Sequence, residues 1–154
     1  MDVAVPLGFA TAMGAARVAS IRYGRISLAL HESSTGMKPG GHTIARHVGK
    51  SPEELLKRLE MEKRIPYATT FKDMRTAEEC ISRALSYNKN TIKSVASSSK
   101  NGLLLQIRYP AGKVVGYGFK RGNTQRLEFR SVKVVISIER YNGKPYYILT
   151  AFPE

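Results

Sequence analysis

Residues 131–152 read SVKVVISIERYNGKPYYILTAF, and this stretch decides the fold. Two runs rich in β-branched and aromatic residues flank Asn142–Gly143, a strong two-residue hairpin signal because both residues tolerate the positive φ of a type I′ turn. Such a turn sets the register. Tyr141 faces Lys144, and pairing then runs back through Ser137 with Ile148, Val135 with Thr150 and Lys133 with Phe152. Side chains alternate between faces, so Val132, Val134, Ile136, Ile138, Tyr147, Leu149 and Ala151 form one predicted core face. The opposite face carries Lys133, Ser137, Glu139, Tyr146, Thr150 and Phe152, a mixed surface that suits either a cleft wall or a solvent-facing sheet.

Working back from the hairpin, LLLQIRY and KVVGYGF on either side of PAG predict two further strands joined by a tight turn. The glycines at 116, 118 and 122 open no helix, so they mark a strand bend and not a phosphate loop. KRGNTQR, after Phe119, is a basic connection that is either a solvated loop or a nucleic-acid contact. Upstream of Gly102 the apolar period becomes helical, with SSSKNG from Ser97 as the intervening loop.

Ala77, Ile81, Ala84 and Leu85 share one helical face behind a capping box of Thr76 and Glu79, and Asn90 is placed to cap a short further turn with Ile92 and Val95. IPYATTFKD before them reads as a loop. The best-marked helix lies in GGHTIARHVGKSPEELLKRL, residues 40–59, where Ser51 can cap, Pro52 suits the first helical position and Glu54 completes a capping box. That helix is expected to run from Pro52 to about Arg64, after a shorter one over HTIARHVG. With Leu55 and Leu59 in the core, Arg58 falls on the flank of the apolar stripe, free to enter a cleft, while Lys57, Glu60 and Arg64 face water. Residues 1–39 have only a loose helical period, and either trail from the domain as a lead-in or pack on it.

A chain of 154 residues is the size of one domain and buries about two-thirds of its unfolded surface. Its 25 Lys and Arg against 12 Asp and Glu give a net charge of +13, most concentrated after residue 100, which points to a polyanionic partner: nucleic acid, an acidic protein or an anionic membrane. The lone Cys80 forms no internal disulfide and sits in a helical pattern as apolar filler. The start VAVPLGFATAMGAA is too short for a membrane anchor and lacks the basic flank of a signal peptide.

His42 and His47 stand five apart, with no HExxH, CxxC or Asp-rich run, so no metal site is expected. What remains is a histidine before a helix, an arginine eleven residues on, and a lysine and a hydroxyl on late strands. Attack of an RNA 2′-hydroxyl on its own phosphate needs a proton acceptor near neutral pH and cationic or hydroxyl donors for the phosphorane charge, which this set supplies without a metal.

GGHTIARHVGKSPEELLKRL, then TTFKDMRTAEECI, then the terminal ILTAFP, in that order from Gly40 to Pro153, resemble the bacterial ribonuclease-A-like toxin domains at the C-termini of contact-dependent growth-inhibition proteins and related polymorphic toxins. The resemblance implies an α+β fold, with N-terminal helices packed on a twisted antiparallel sheet, ribonuclease-A-like without disulfides. It leaves residues 1–39 outside, as a lead-in segment whose structure it does not give, and implies the toxin domain over 40–154. The family's site is implied to use a histidine, an arginine and a Thr-x-Tyr pair: His47, Arg58 and Thr150 match, but Phe152 stands where tyrosine is expected. His42 belongs to the same motif and is a possible second acid or base.

The reading is therefore a metal-independent, cofactor-free endoribonuclease, secreted or delivered to act in a target-cell cytoplasm. His47 and His42 are its proton-transfer candidates and Arg58 and Thr150 stabilise the transition state, with Lys133 and Phe152 on the substrate. Its expected partners are RNA and an acidic cognate immunity protein, with no membrane anchor and a monomeric free state. The alternative is a non-catalytic basic RNA-binding or protein-interaction domain.

Overall fold

The computed structural model describes residues 24–98 and 101–154, so the apolar start of the chain lies outside the described residues. The order is a 3₁₀ turn Leu28–Leu30, then α1 Thr43–His47, α2 Pro52–Met61, β1 Tyr67–Phe71, α3 Met74–Tyr87, α4 Lys89–Ser98, β2 Leu103–Pro110, β3 Gly116–Lys120, β4 Leu127–Phe129, β5 Ser131–Ile138 and β6 Tyr147–Pro153. All strand pairs are antiparallel, and they form two three-stranded sheets, β1-β3-β4 and β2-β5-β6. The α+β class expected from the sequence is what the chain adopts.

The β2-β5-β6 sheet carries the main core. Val132, Val134, Ile136 and Ile138 of β5 pack with Leu105 and Ile107 of β2 against Ala77, Ile81, Ala84 and Leu85 of α3 and Ile92 of α4. Each fully buried Ile or Leu there contributes roughly 2 kcal/mol relative to exposure. Cys80 lies in this core as apolar filler, and burial pushes its thiol up. A second cluster, Leu55 and Leu59 of α2 with Ala68 of β1 and Phe119 of β3, fastens α2 to one face of the smaller sheet.

The Asn142–Gly143 turn forms as read, both residues at positive φ, with Tyr141 opposite Lys144. The predicted register holds from Val132 opposite Pro153 to Val135 opposite Thr150, but a bulge follows, and Ile136 pairs with Ile148 and Ser137 with Tyr147. The extra residue flips the β6 faces beyond it. Tyr146 and Ile148 join the main core instead of the expected Tyr147 and Leu149, although Tyr147 is also fully buried.

Other expectations are corrected. IPYATTFKD is not a loop: its Tyr, Thr and Phe residues form β1, paired with β3 some fifty residues away. LLLQIRY and KVVGYGF are strands but not a hairpin, since β2 pairs with β5 while β3 pairs with β1 and β4. The cap of α3 is Asp73, whose carboxylate accepts Thr76 N–H at 2.7 Å, so Thr76 lies inside the helix. Asn90 likewise lies inside α4, which extends through Ser98 into the expected loop, and α2 stops at Met61, short of Arg64. From the expected lead-in, Leu28 is fully buried in the main core, its N–H donating to Glu78 at 2.8 Å.

Candidate active site

The site is built where α1, α2 and the two sheets meet. The five-residue α1 is capped from outside itself: Glu32 accepts Ile44 N–H at 2.9 Å, a role His42 at the N-cap position leaves unfilled. His42 N–H donates to Leu149 O at 2.9 Å, docking the start of α1 on β6 beside the bulge. At the other end His47 is buried, and its Nδ1 lies 3.3 Å from Thr69 O on β1. A carbonyl only accepts, so Nδ1 carries the proton and Nε2 is left bare.

The start of α2 is as the sequence predicted. Ser51 Oγ accepts Glu54 N–H at 3.2 Å with Pro52 in the first turn, and Leu55 and Leu59 are buried with Arg58 on the flank between them and solvent. Arg58 Nη1 comes within 3.5 Å of His47 Nδ1, the wrong polarity for a bond to a protonated nitrogen, so its effect there is its charge. Arg58 Nε donates to Glu62 Oε2 at 3.0 Å, and Arg46 reaches Glu62 Oε1 at 3.2 Å. The end of α2 is held by Arg121, whose guanidinium donates to the carbonyls of Leu59, Glu62 and Ile65 at 2.8, 2.6 and 3.0 Å. Leu59 O belongs to the last turn, whose carbonyls the terminating helix leaves without internal partners, and Glu62 and Ile65 lie in the segment that follows it. The basic connection after Phe119 thus supplies a helix cap.

His42, His47, Arg58, Lys133, Thr150 and Phe152, the six residues singled out in the sequence, line one cleft of about 600 Å³. The rings of His42 and His47 are 6.2 Å apart, and Phe152 lies tilted against His47 at 5.3 Å with Lys133 Nζ 5.8 Å from its ring. Thr150 Oγ1 is shielded and has no hydrogen-bond partner among the described residues, an unusual state for a buried hydroxyl. Ser137, Glu139 and Tyr146, expected on the same face, do not line the cleft. The Thr69 hydroxyl donates to Pro153 O at 2.9 Å and ties the two sheets together beneath the cleft.

Burial, reinforced by the Arg58 charge, pulls the His47 imidazole down to about 3, with the Thr69 hydrogen bond acting in the opposite direction. His42, half-buried, is lowered by burial and by Arg46 and Arg58, against which Glu62 acts. Both rings are therefore neutral at pH 7 in the free domain, and both carry a lone pair able to accept a proton. Among the described residues no group of three His, Cys, Asp or Glu side chains is arranged to hold a metal ion.

Sequence reasoning missed Glu32, Glu62, Tyr67, Thr69, Arg121 and Phe129. The spacing of Glu62 four residues after Arg58 was a legible helix pair, and the β-forming composition of YATTF was a legible strand. No local pattern marks Arg121 as a cap for a helix some sixty residues earlier.

The family model of the bacterial CdiA-CT RNAse A domain matches this chain over residues 41–153. The chain belongs to that family. A solved CdiA-CT/CdiI complex from Y. kristensenii holds a chain 34% identical to this one, superposing with a TM-score of 0.65 over 74% of this chain and 99% of that chain. No curated protein matches it. As a CdiA-CT RNase A domain it is a toxin domain of contact-dependent growth inhibition, and no helix among its described residues is long and apolar enough to cross a membrane.

Proposed function

We propose that this CdiA-CT domain is a metal-independent endoribonuclease that cleaves RNA by transesterification. The observation that carries this reading is the gathering of His47, held at Nδ1 by Thr69 O, with Arg58, Lys133 and the Thr150 hydroxyl in one cleft. His47 Nε2 takes the proton of a 2′-hydroxyl as that oxygen bonds to phosphorus. The bond from phosphorus to the 5′-oxygen breaks, and His42, which enters this step as the imidazolium once the charge of the bound phosphodiester has raised it, gives its proton to the leaving oxygen. Arg58 and Lys133 neutralise the phosphorane oxygens while Thr150 donates one hydrogen bond to them. The product ends in a 2′,3′-cyclic phosphate.

A base held near 3 is too weak to be efficient at neutral pH, because general-base catalysis works best with a pKa close to the operating pH. The bound phosphodiester corrects this. Its negative charge offsets Arg58 and raises both imidazoles, so the substrate tunes the groups that act on it. In this scheme Phe152 packs against His47 and orients it, which a ring without a hydroxyl can do.

The solved relative is complexed with CdiI, and this domain is taken to have an acidic inhibitor of its own. A net charge of +13 speeds encounter with a carboxylate-rich surface over a screening length of about 8 Å at physiological salt. The toxin is delivered to, and acts in, the cytoplasm of a target cell, where that inhibitor is the protection of sister cells. The deciding experiment is incubation of the purified domain with total RNA in EDTA. Cleavage to cyclic-phosphate ends is expected; intact RNA, or cleavage only after a divalent ion is restored, sinks the metal-independent reading.

A further inference from the structure

The end of the cleft away from the histidines is aromatic and has no part in the proposed proton transfers. Tyr67 opens β1 and is 42% exposed, and its ring meets Phe129 of β4 edge-on at 6.2 Å between centroids. The two residues sit on the edge strands of the smaller sheet, with β3 between them. Alternation along β1 sends Ala68 toward α2 and Tyr67 and Thr69 toward the cleft, and the pairing of Thr69 with Gly118 and of Gly118 with Leu127 puts Gly118 on the cleft face as well. A Cβ at Gly118 would lie 2.3 Å from Ala68 O and 2.8 Å from Thr69 Cγ2. Glycine there lets β1 and β3 approach closely and leaves no side chain standing between the two rings.

We propose that Tyr67 and Phe129 form a stacking platform for one unpaired nucleobase of the RNA strand, next to the phosphate bound at the His47 end. This inference rests on the ribonuclease reading of the cleft. The geometry matches the ligand: the Thr69 carbonyl that holds His47 is two residues along β1 from Tyr67, so the platform and His47 share one wall of the cleft that Arg58 and Lys133 also line. A nucleotide presents the same pair of features, an anion joined through a ribose to a flat π face. Ile65 and Pro66 line this end beside the rings, and the Thr69 hydroxyl is committed to Pro153 O, so side-chain recognition of a base edge is sparse. Stacking without such recognition favours large π faces over any one base. The platform should prefer purines modestly and otherwise tolerate sequence.

The test uses the intact domain and a 2′-deoxy tetranucleotide, which cannot undergo transesterification, carrying 2-aminopurine at each position in turn. Stacking quenches 2-aminopurine fluorescence. The wild-type domain should quench one position strongly. Tyr67→Ala should abolish that quenching and weaken binding by roughly tenfold, within the range a single base–aromatic stack provides. Tyr67→Phe should retain both, which separates loss of the ring from any disturbance of the strand. Quenching that is unchanged in Tyr67→Ala overturns the proposal. So does a wild-type domain that binds the tetranucleotide without quenching any position, an outcome that assigns the aromatic end to a protein partner instead. Quenching by a wild-type domain that leaves RNA uncut supports the platform and sinks only the ribonuclease reading.

Discussion

Glu62 accepts Arg58 Nε–H at 3.0 Å, so the guanidinium beside His47 is held along one edge and keeps its other nitrogens free for the cleft. The same carboxylate binds Arg46, and both pairs are partly exposed, so their direct contribution to stability is small. Their consequence is orientation.

Glu62→Ala should lower kcat about tenfold with a smaller change in KM, because a mobile Arg58 still attracts phosphate but seldom meets the phosphorane. Glu62 also opposes the depression of His42, the proposed general acid, so its removal should move the alkaline limb of the pH–rate profile to lower pH. Steady-state cleavage of an oligonucleotide across pH 4–8 measures both effects. An unchanged kcat and limb would show that Arg58 is positioned without Glu62.

His47→Ala should reduce cleavage by about 10²–10⁴-fold, the usual size of a general-base contribution, with the fold retained. The ring itself gives a second readout. In the free domain the His47 NMR signal should titrate far below 6.5, near 3, and a 2′-deoxy oligonucleotide should raise its pKa. If His42→Ala abolishes cleavage while His47→Ala spares it, the base has been assigned to the wrong histidine.

Phe152→Tyr should keep or raise activity. The ring sits tilted on His47 and is not fully enclosed, so an added hydroxyl can be placed toward the cleft. Phe152→Ala removes the surface that orients His47 and should lower kcat. A large loss in the tyrosine variant, measured as initial cleavage rate, would mean that the ring is packed too tightly to accept an oxygen.

The third histidine gives a pH dependence of stability unrelated to the cleft. His31 is buried, and its Nδ1 accepts Ile148 N–H at 3.1 Å. Burial, and then the charge of Lys144, pulls it down to about 4. Between about 6.5 and 4 the unfolded chain binds a proton that the folded one does not, so stability is complete above 6.5 and falls as pH drops toward 4. The loss is on the order of 3 kcal/mol, because each tenfold difference in proton affinity between the folded and unfolded chain is worth about 1.4 kcal/mol. His47 acts with the same sign over a window reaching about 3. Urea unfolding at pH 7.5 and 4.5 should show the loss, and His31→Gln should lessen it; equal midpoints at the two pH values for the wild type would refute it.

Local chemistry was enough for the elements whose partners lie nearby in the chain. Ser51, Pro52 and Glu54 announce α2, the apolar period of Ala77, Ile81 and Leu85 announces α3, and Asn142–Gly143 gives the pairing met at Tyr141 opposite Lys144 and again from Val135 opposite Thr150 to Val132 opposite Pro153. The six site residues could be named because the motif order along the chain resembles a family and because their types suit phosphodiester chemistry. Nothing in that order places them within one cleft. Tertiary structure decided what depends on distant partners: YATTF, whose composition already suits a strand, finds its partner in β3, and β2 and β3 part into different sheets because β5 and β1 claim them. The bulge in the terminal hairpin lies where the Leu149 carbonyl receives His42, a contact across more than a hundred residues that no local pattern encodes. For the same reason the bare Nε2 of His47 could not be read from the sequence. Its cause is a backbone carbonyl, Thr69 O, and every residue carries one; only the fold selects which of them meets the ring.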